Sequence, residues 1–242
     1  MTGERKPRLV WTTNVQGDFI GPQLKYSEPK LYFKYMWEKG VPAMPIQKPL
    51  SITNAGDLAT TITLKILPPF SCNQEVLTLP PGSTESINID FDPGMKQDRV
   101  SGESVSKLQI THKGHPQKDN VELIGEVCYP NLSITPPQID FGCILNDTAK
   151  KQYITMTNVS EMVCAYDWSF LEEEITSLMG QHEEEEGKKK KETPINEVFD
   201  ILPVSGILHP GETETVEFTF YAGHGMSYNG IGVCAVEGGP DY

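Results

Sequence analysis

The sequence predicts an all-β chain made of two tandem β-sandwiches, and three observations carry that prediction. One stretch is written twice: Leu79–Phe91 reads LPPGSTESINIDF and Leu208–Phe220 reads LHPGETETVEFTF, 129 positions later. Both copies open on Leu and Pro-Gly turn chemistry and then alternate strictly. Ile87, Ile89 and Phe91 fall on one face in the first copy, and Val216, Phe218 and Phe220 do so in the second. Period-two alternation marks a strand with one buried face. The second observation is that the repeat extends upstream. The third is that 19 Pro and 21 Gly punctuate the 242 residues, which leaves little room for long helices.

Taken in order, PKLYF (Pro29–Phe33) pairs with PQIDF (Pro137–Phe141), offset 108. Pro49–Asn54 (PLSITN) pairs with Tyr153–Asn158 (YITMTN), offset 104. The same offset sets Ile62, Leu64 and Ile66 against Tyr166, Trp168 and Phe170, so the large aromatics read as core. The offset then jumps to 129, which locates an insertion in the second copy. That insertion includes Leu171–Pro194, LEEEITSLMGQHEEEEGKKKKETP. Blocks of four Glu and four Lys cannot bury a face, so a mobile loop is expected, with a short helix around Glu172–Met179. Docking of Lys188–Lys191 on an acidic surface is the minor reading. The junction CYPNLSITPPQ is short and rich in proline, so it predicts a semi-rigid linker. The expected division is an extension over residues 1–28, a first sandwich over 29–129 and a second over 130–242 with a charged loop at 171–195.

The first copy ends with a strand at Ser104–Ile110, a His112–Gly114 turn and a last strand at Val121–Val127. Ile110 aligns with Val236, offset 126. The last strand of the second copy should therefore begin near position 247, beyond Tyr242. The second sandwich is expected to lack it and to expose a neighbouring strand edge.

The formal charge of −13, from 33 acidic and 20 basic residues, weighs against nucleic acid or an anionic membrane as the main partner. No run of about 18 apolar residues is present. The five cysteines (Cys72, Cys128, Cys143, Cys164, Cys234) form no CxxC pair and read as free thiols, mostly buried. Cys143 in particular reads as a small buried thiol. Three sequons begin at Asn131, Asn146 and Asn158 and read as chance.

A search for chemistry finds little. His112 and His115 are the one close histidine pair among five; they read as an exposed hairpin before a metal site, with no Cys beside them. His182 lies in the charged insertion. His209 stands where the first copy has Pro80, a poor place for catalysis. His224 belongs to a Gly-rich stretch, Gly223–Gly230, that fits no phosphate-loop pattern. No catalytic, cofactor-binding or metal residue is expected, and no small-molecule substrate. Trp11, Tyr32, Phe33, Tyr35 and Trp37 make an aromatic-rich start that reads as sheet-edge cover or as a contact with a neighbour.

PPQIDFG (Pro136–Gly142), YITMTNVS (Tyr153–Ser160) and FDILPVSGILHPGETETVEFTF (Phe199–Phe220), in this order, resemble an ASH domain. These domains are immunoglobulin-like relatives of major sperm protein found in ciliary and centrosomal proteins. The first copy is looser, without the Phe-Gly pair after Phe33. The resemblance implies immunoglobulin-like sandwiches and a non-enzymatic, architectural role in the axoneme of cilia, in the central-pair apparatus that motility needs. It implies other axonemal proteins as partners, with microtubules reached indirectly. The alternative it leaves open is an adaptor that binds short peptide motifs of other proteins.

Overall fold

The computed structural model describes residues 11, 13–18, 20–171, 194–223 and 228–242. The charged insertion over 172–193, with its expected helix, its lysine run and His182, lies outside the described residues, as does His224.

The strands of the first copy are β1 (Leu24–Tyr26), β2 (Lys30–Met36), β3 (Ile46–Asn54), β4 (Thr60–Lys65), β5 (Phe70–Cys72), β6 (Val76–Leu79), β7 (Thr84–Phe91), β8 (Gly102–His112) and β9 (Lys118–Cys128). They form two facing sheets, ordered β1-β3-β7-β5 and β2-β9-β8-β4-β6. All the pairs are antiparallel except β2 with β9. The inward set of each strand is the apolar one: Leu50 and Ile52, Ile62 and Leu64, Ile87 and Ile89, Leu108 and Ile110, Val121 and Leu123. Each such side chain contributes about 1.5–3 kcal/mol when taken out of water. β1 lies within the stretch expected as an N-terminal extension; Leu24 to Tyr26 pair with Asn54 to Ile52.

The second copy repeats the plan. Its strands are β10 (Leu132–Thr135), β11 (Ala149–Asn158), β12 (Cys164–Leu171), β13 (Phe199–Leu202), β14 (Ser205–Leu208), β15 (Thr213–Tyr221) and β16 (Ile231–Val236), with one helical turn, α1, at Ile195–Val198. The sheets run β10-β11-β15-β13 and β14-β12-β16. Two expectations need correction. Leu132–Thr135, read as linker, is a strand, and it pairs with β11 as β1 pairs with β3. Ile139–Phe141, read as the opening strand, is not in a strand. The physical reason is the missing partner: its counterpart β2 is held along its length by β9, and no described strand takes the β9 position in the second copy.

The repeat is sharpest at one buried side chain. Asn54 ends β3, and its amide nitrogen donates to the carbonyls of Leu58 and Leu79, while Oδ1 accepts from the Gly56 amide. Asn158 ends β11 and does the same with Met162, Leu208 and Ser160. An amide side chain has both donors and an acceptor, so one residue closes three loops at once. With the Asn131 and Asn158 side chains buried in such bonds, two of the three sequons are closed to glycosylation.

The link between the copies is Tyr129–Asn131, and it is tightly bonded. Ser101 exchanges bonds with Tyr129, the Asn131 side chain accepts from the Ser101 amide, and the Val159 amide donates to the Asn131 carbonyl. Lys34 reaches Glu161 at 2.7 Å, Lys39 pairs with Glu237, and Trp37 lies where a Cβ on Gly238 would fall. The aromatic-rich start thus divides: Phe33 is core, Tyr35 packs on Tyr129, Trp37 meets the second copy, and Trp11 is exposed.

His112 corrects another expectation. It is buried at the end of β8 and its Nε2 lies 3.0 Å from Asp119 Oδ2, which also accepts from the Tyr26 hydroxyl; of the pair, His115 alone is exposed. Burial alone would lift the Asp119 carboxyl, but the bonds from His112, Gln117 and Tyr26 outweigh it and hold the group below its ordinary 3.8. A depressed folded-state value stabilises the fold above the unfolded value, and that contribution fades as pH falls through the folded one. Asp119→Asn should therefore lower the urea midpoint by a constant amount from about pH 5 to pH 7 and by less below about pH 3. A gap that stays constant into acid would show that the carboxylate charge plays no part.

Candidate functional site: a groove in the second sandwich

Each copy builds a triad of phenylalanines between its sheets. In the first, Phe33, Phe70 and Phe91 meet with ring centroids 5.8, 5.9 and 5.2 Å apart. In the second, the counterparts Phe141, Phe199 and Phe220 meet at 5.9, 5.5 and 5.0 Å. The first triad is sealed, with Phe33 0%, Phe70 2% and Phe91 1% exposed. All three members of the second are only part-buried. The sequence sets the same rings in the same place, and the difference is what covers them.

In the first copy the cover is β9, which lies between β2 and β8 and passes Gly125 over Phe91. A Cβ on Gly125 would fall on that ring. Among the described residues the same position in the second copy is a groove of about 1260 Å³, lined by the phenylalanine triad, Trp168, Ile139 and Tyr242 among others. One of its rims is the outer edge of β16.

Among the described residues that edge carries one rung of pairing. Cys234 and Tyr242 exchange both backbone bonds, at 2.9 and 3.0 Å, as a hydrogen-bonded antiparallel pair does. Cys234 is the counterpart of Leu108, so Tyr242 takes the place of Val121, opposite Leu108. The position expected near 247 is thus reached five residues sooner, because the turn through Gly238 is shorter than the β8–β9 turn. The Tyr242 hydroxyl accepts from the Leu132 amide at 2.9 Å and anchors this rung to β10. Along β16, Gly232 is two residues from Cys234 and aims its N–H and C=O at the same open side. In hydrogen exchange the Gly232 amide should exchange much faster than that of its counterpart Ser106, which lies in the β8–β9 ladder opposite Leu123. Equal protection in a verified monomer would mean that the edge is covered.

The titratable groups near the groove are held quiet. Burial, then the charges of Asp167, Asp241 and Cys164, pushes the Cys234 thiol up to about 12. Burial and a bond to Glu214 push the Tyr166 hydroxyl up. Cys143 is exposed on the loop beside the groove, not buried as expected: its counterpart in the first copy is Tyr35, in a strand, whereas here the strand does not form. Elsewhere, Glu126, Cys128 and Glu161 bring their ligand-type atoms within 4.8 Å of one another, but Lys34 neutralises the two carboxylates at 3.6 and 2.7 Å. His209 turns the chain before β15, as Pro80 does before β7.

The fold defines a class: all-β, two tandem immunoglobulin-like sandwiches. Residues 109–228, just under half of the chain, match the family model described as a cilia- and flagella-associated protein 65-like, Ig-like domain. Over 97% of its length the chain is 25% identical to the human hydrocephalus-inducing protein homolog and, likewise, to the mouse hydrocephalus-inducing protein. The chain spans about 7% of the human relative's length and 6% of the mouse one's. Among solved structures it is similar to an ASH/PapD-like domain of human CEP192 (14% identity, 50% of this chain, 97% of that one, TM-score 0.35). It is also similar to a Porphyromonas gingivalis protein of unknown function (14% identity, 83% of this chain, 84% of that one, TM-score 0.38).

Proposed function

We propose that this chain is a non-enzymatic structural module of the ciliary axoneme, part of the central-pair apparatus that motility needs, acting through protein–protein contacts. The observation that carries the proposal is the similarity to two hydrocephalus-inducing proteins along 97% of the chain. The family model, whose description is ciliary, supports it. So does the bonded link between the copies, because a rod of such modules must transmit load without hinging. Its partners on this reading are other axonemal proteins. The test is crosslinking mass spectrometry on isolated axonemes. Crosslinks from this chain to central-pair components support the proposal; crosslinks confined to the outer doublets overturn it.

A further inference from the structure

We propose that the outer face of the first sandwich's five-stranded sheet docks a second copy of this chain, about a two-fold axis that runs across the strands along Tyr32, Ile124 and Val105. These three residues form one row: Ile124 of β9 pairs with Tyr32 of β2 on one side and with Val105 of β8 on the other. Their strand neighbours Leu31, Phe33 and Leu123 belong to the core, so the row lies on the opposite, outward face. Tyr32 and Val105 are 43% and 59% exposed, and Ile124 is sunk between them at 5%. An apolar row on the outward face adds nothing to the core beneath it, and it is the kind of surface that another protein covers.

The charges beside the row select the occupant. Lys30, Glu122 and Lys107 flank it on one side, and Lys34, Glu126 and Glu103 on the other. Three lysines and three glutamates cancel, so this face is neutral on a chain of net charge −13 that otherwise repels its own copy. Lys30 pairs with Glu122 at 3.9 Å and Lys34 with Glu126 at 3.6 Å. Among the described residues Glu103 and Lys107 form no ion pair. Glu103 even stands directly opposite Glu126, a like charge. Residues two apart along a strand are about 7 Å apart, so Glu103 and Lys107 lie equally far on either side of Val105. A two-fold along the row sets Glu103 of each copy against Lys107 of the other, while the apolar row meets itself. That is the self-complementarity an isologous interface needs. A two-fold along the strands would instead set Lys107 of one copy against Lys30 of the other.

The axis reverses strand direction, so the two copies lie side by side and antiparallel. Five strands about 4.8 Å apart and about seven residues long cover roughly 600 Å². Stable complexes bury about 800 Å² per partner, so the dimer is weak and readily reversible.

The test is sedimentation velocity of the full chain over about 1–500 μM, the range in which a weak dimer forms and dissociates. The native chain should show a reversible monomer–dimer equilibrium. Glu103→Lys sets lysine against lysine, and Lys107→Glu sets carboxylate against carboxylate. Each should weaken the dimer about tenfold or more. The two changes move the net charge in opposite directions, so a general charge effect cannot weaken both. An equimolar mixture of the two variants should recover the dimer, because each contact again joins a lysine to a glutamate. The double variant should recover it as well. Val105→Ser, which leaves every charge in place, should weaken it independently, and it decides if a charge variant fails to fold. A chain that stays monomeric throughout overturns the proposal. A dimer that none of the substitutions weakens overturns the assigned face. Weakening by both charge changes without recovery on mixing overturns the axis along the row.

Discussion

Trp168→Ala should destabilise the second sandwich by about 3–5 kcal/mol, the range for an emptied aromatic core site. Trp168 lies mid-way along β12 between β14 and β16, is 8% exposed, and meets Phe218 edge-on at 5.4 Å. Its ring is part of the groove wall as well as of the core, so the loss couples the two sheets and not one strand alone. The indole Nε1 is buried with no hydrogen-bond partner, so part of the cost of burying this residue is never recovered. Trp168→Phe keeps most of the packing and removes that orphan donor. It should cost under about 1.5 kcal/mol, as shape-conserving swaps do. Urea unfolding followed by far-ultraviolet circular dichroism separates the two. Equal losses would show that the site tolerates no change in shape and that ring volume is not what matters.

Much of this architecture is legible in the amino-acid sequence, and the reasons are local. The Pro-Gly turns and the alternation after them need no distant partner to be recognised, and they place β7 and β15 with Ile87, Ile89, Val216 and Phe218 inward. The offsets also set Phe33 and Phe91 against Phe141 and Phe220, whereas the match of Phe70 with Phe199 comes from their pairing with Phe91 and Phe220. What is not legible depends on neighbours distant in sequence. PQIDF carries the same pattern as PKLYF, yet only the latter is a strand, because pattern decides which face is apolar and not whether a partner strand is present. His112 reads as turn chemistry beside Gly114, but its burial comes from Asp119 and from Tyr26, 86 positions upstream. The buried roles of Asn54 and Asn158 have a signal, an Asn repeated at the same offset in both copies, which the alternation template treats only as a strand end.

Phe91→Ala should cost the first sandwich about 3–5 kcal/mol, and Phe220→Ala should cost the second clearly less than half of that. The two rings are counterparts on paired strands, opposite Ile46 and Lys150 respectively, and each stacks within an aromatic triad of nearly the same dimensions. Phe91 is 1% exposed because β9 lies across it, so its removal leaves a cavity that Gly125 has no side chain to fill. Phe220 borders an open groove, so water already reaches part of the ring, and truncation enlarges a space that solvent can enter. The transfer term is smaller and the cavity term nearly vanishes. Each variant is scored in the full chain by hydrogen exchange of the buried strands, β8 for the first copy and β12 for the second, so that neither domain's stability is confused with the other's. Equal costs in the free chain would mean that the second triad is already sealed and that no groove exists in solution.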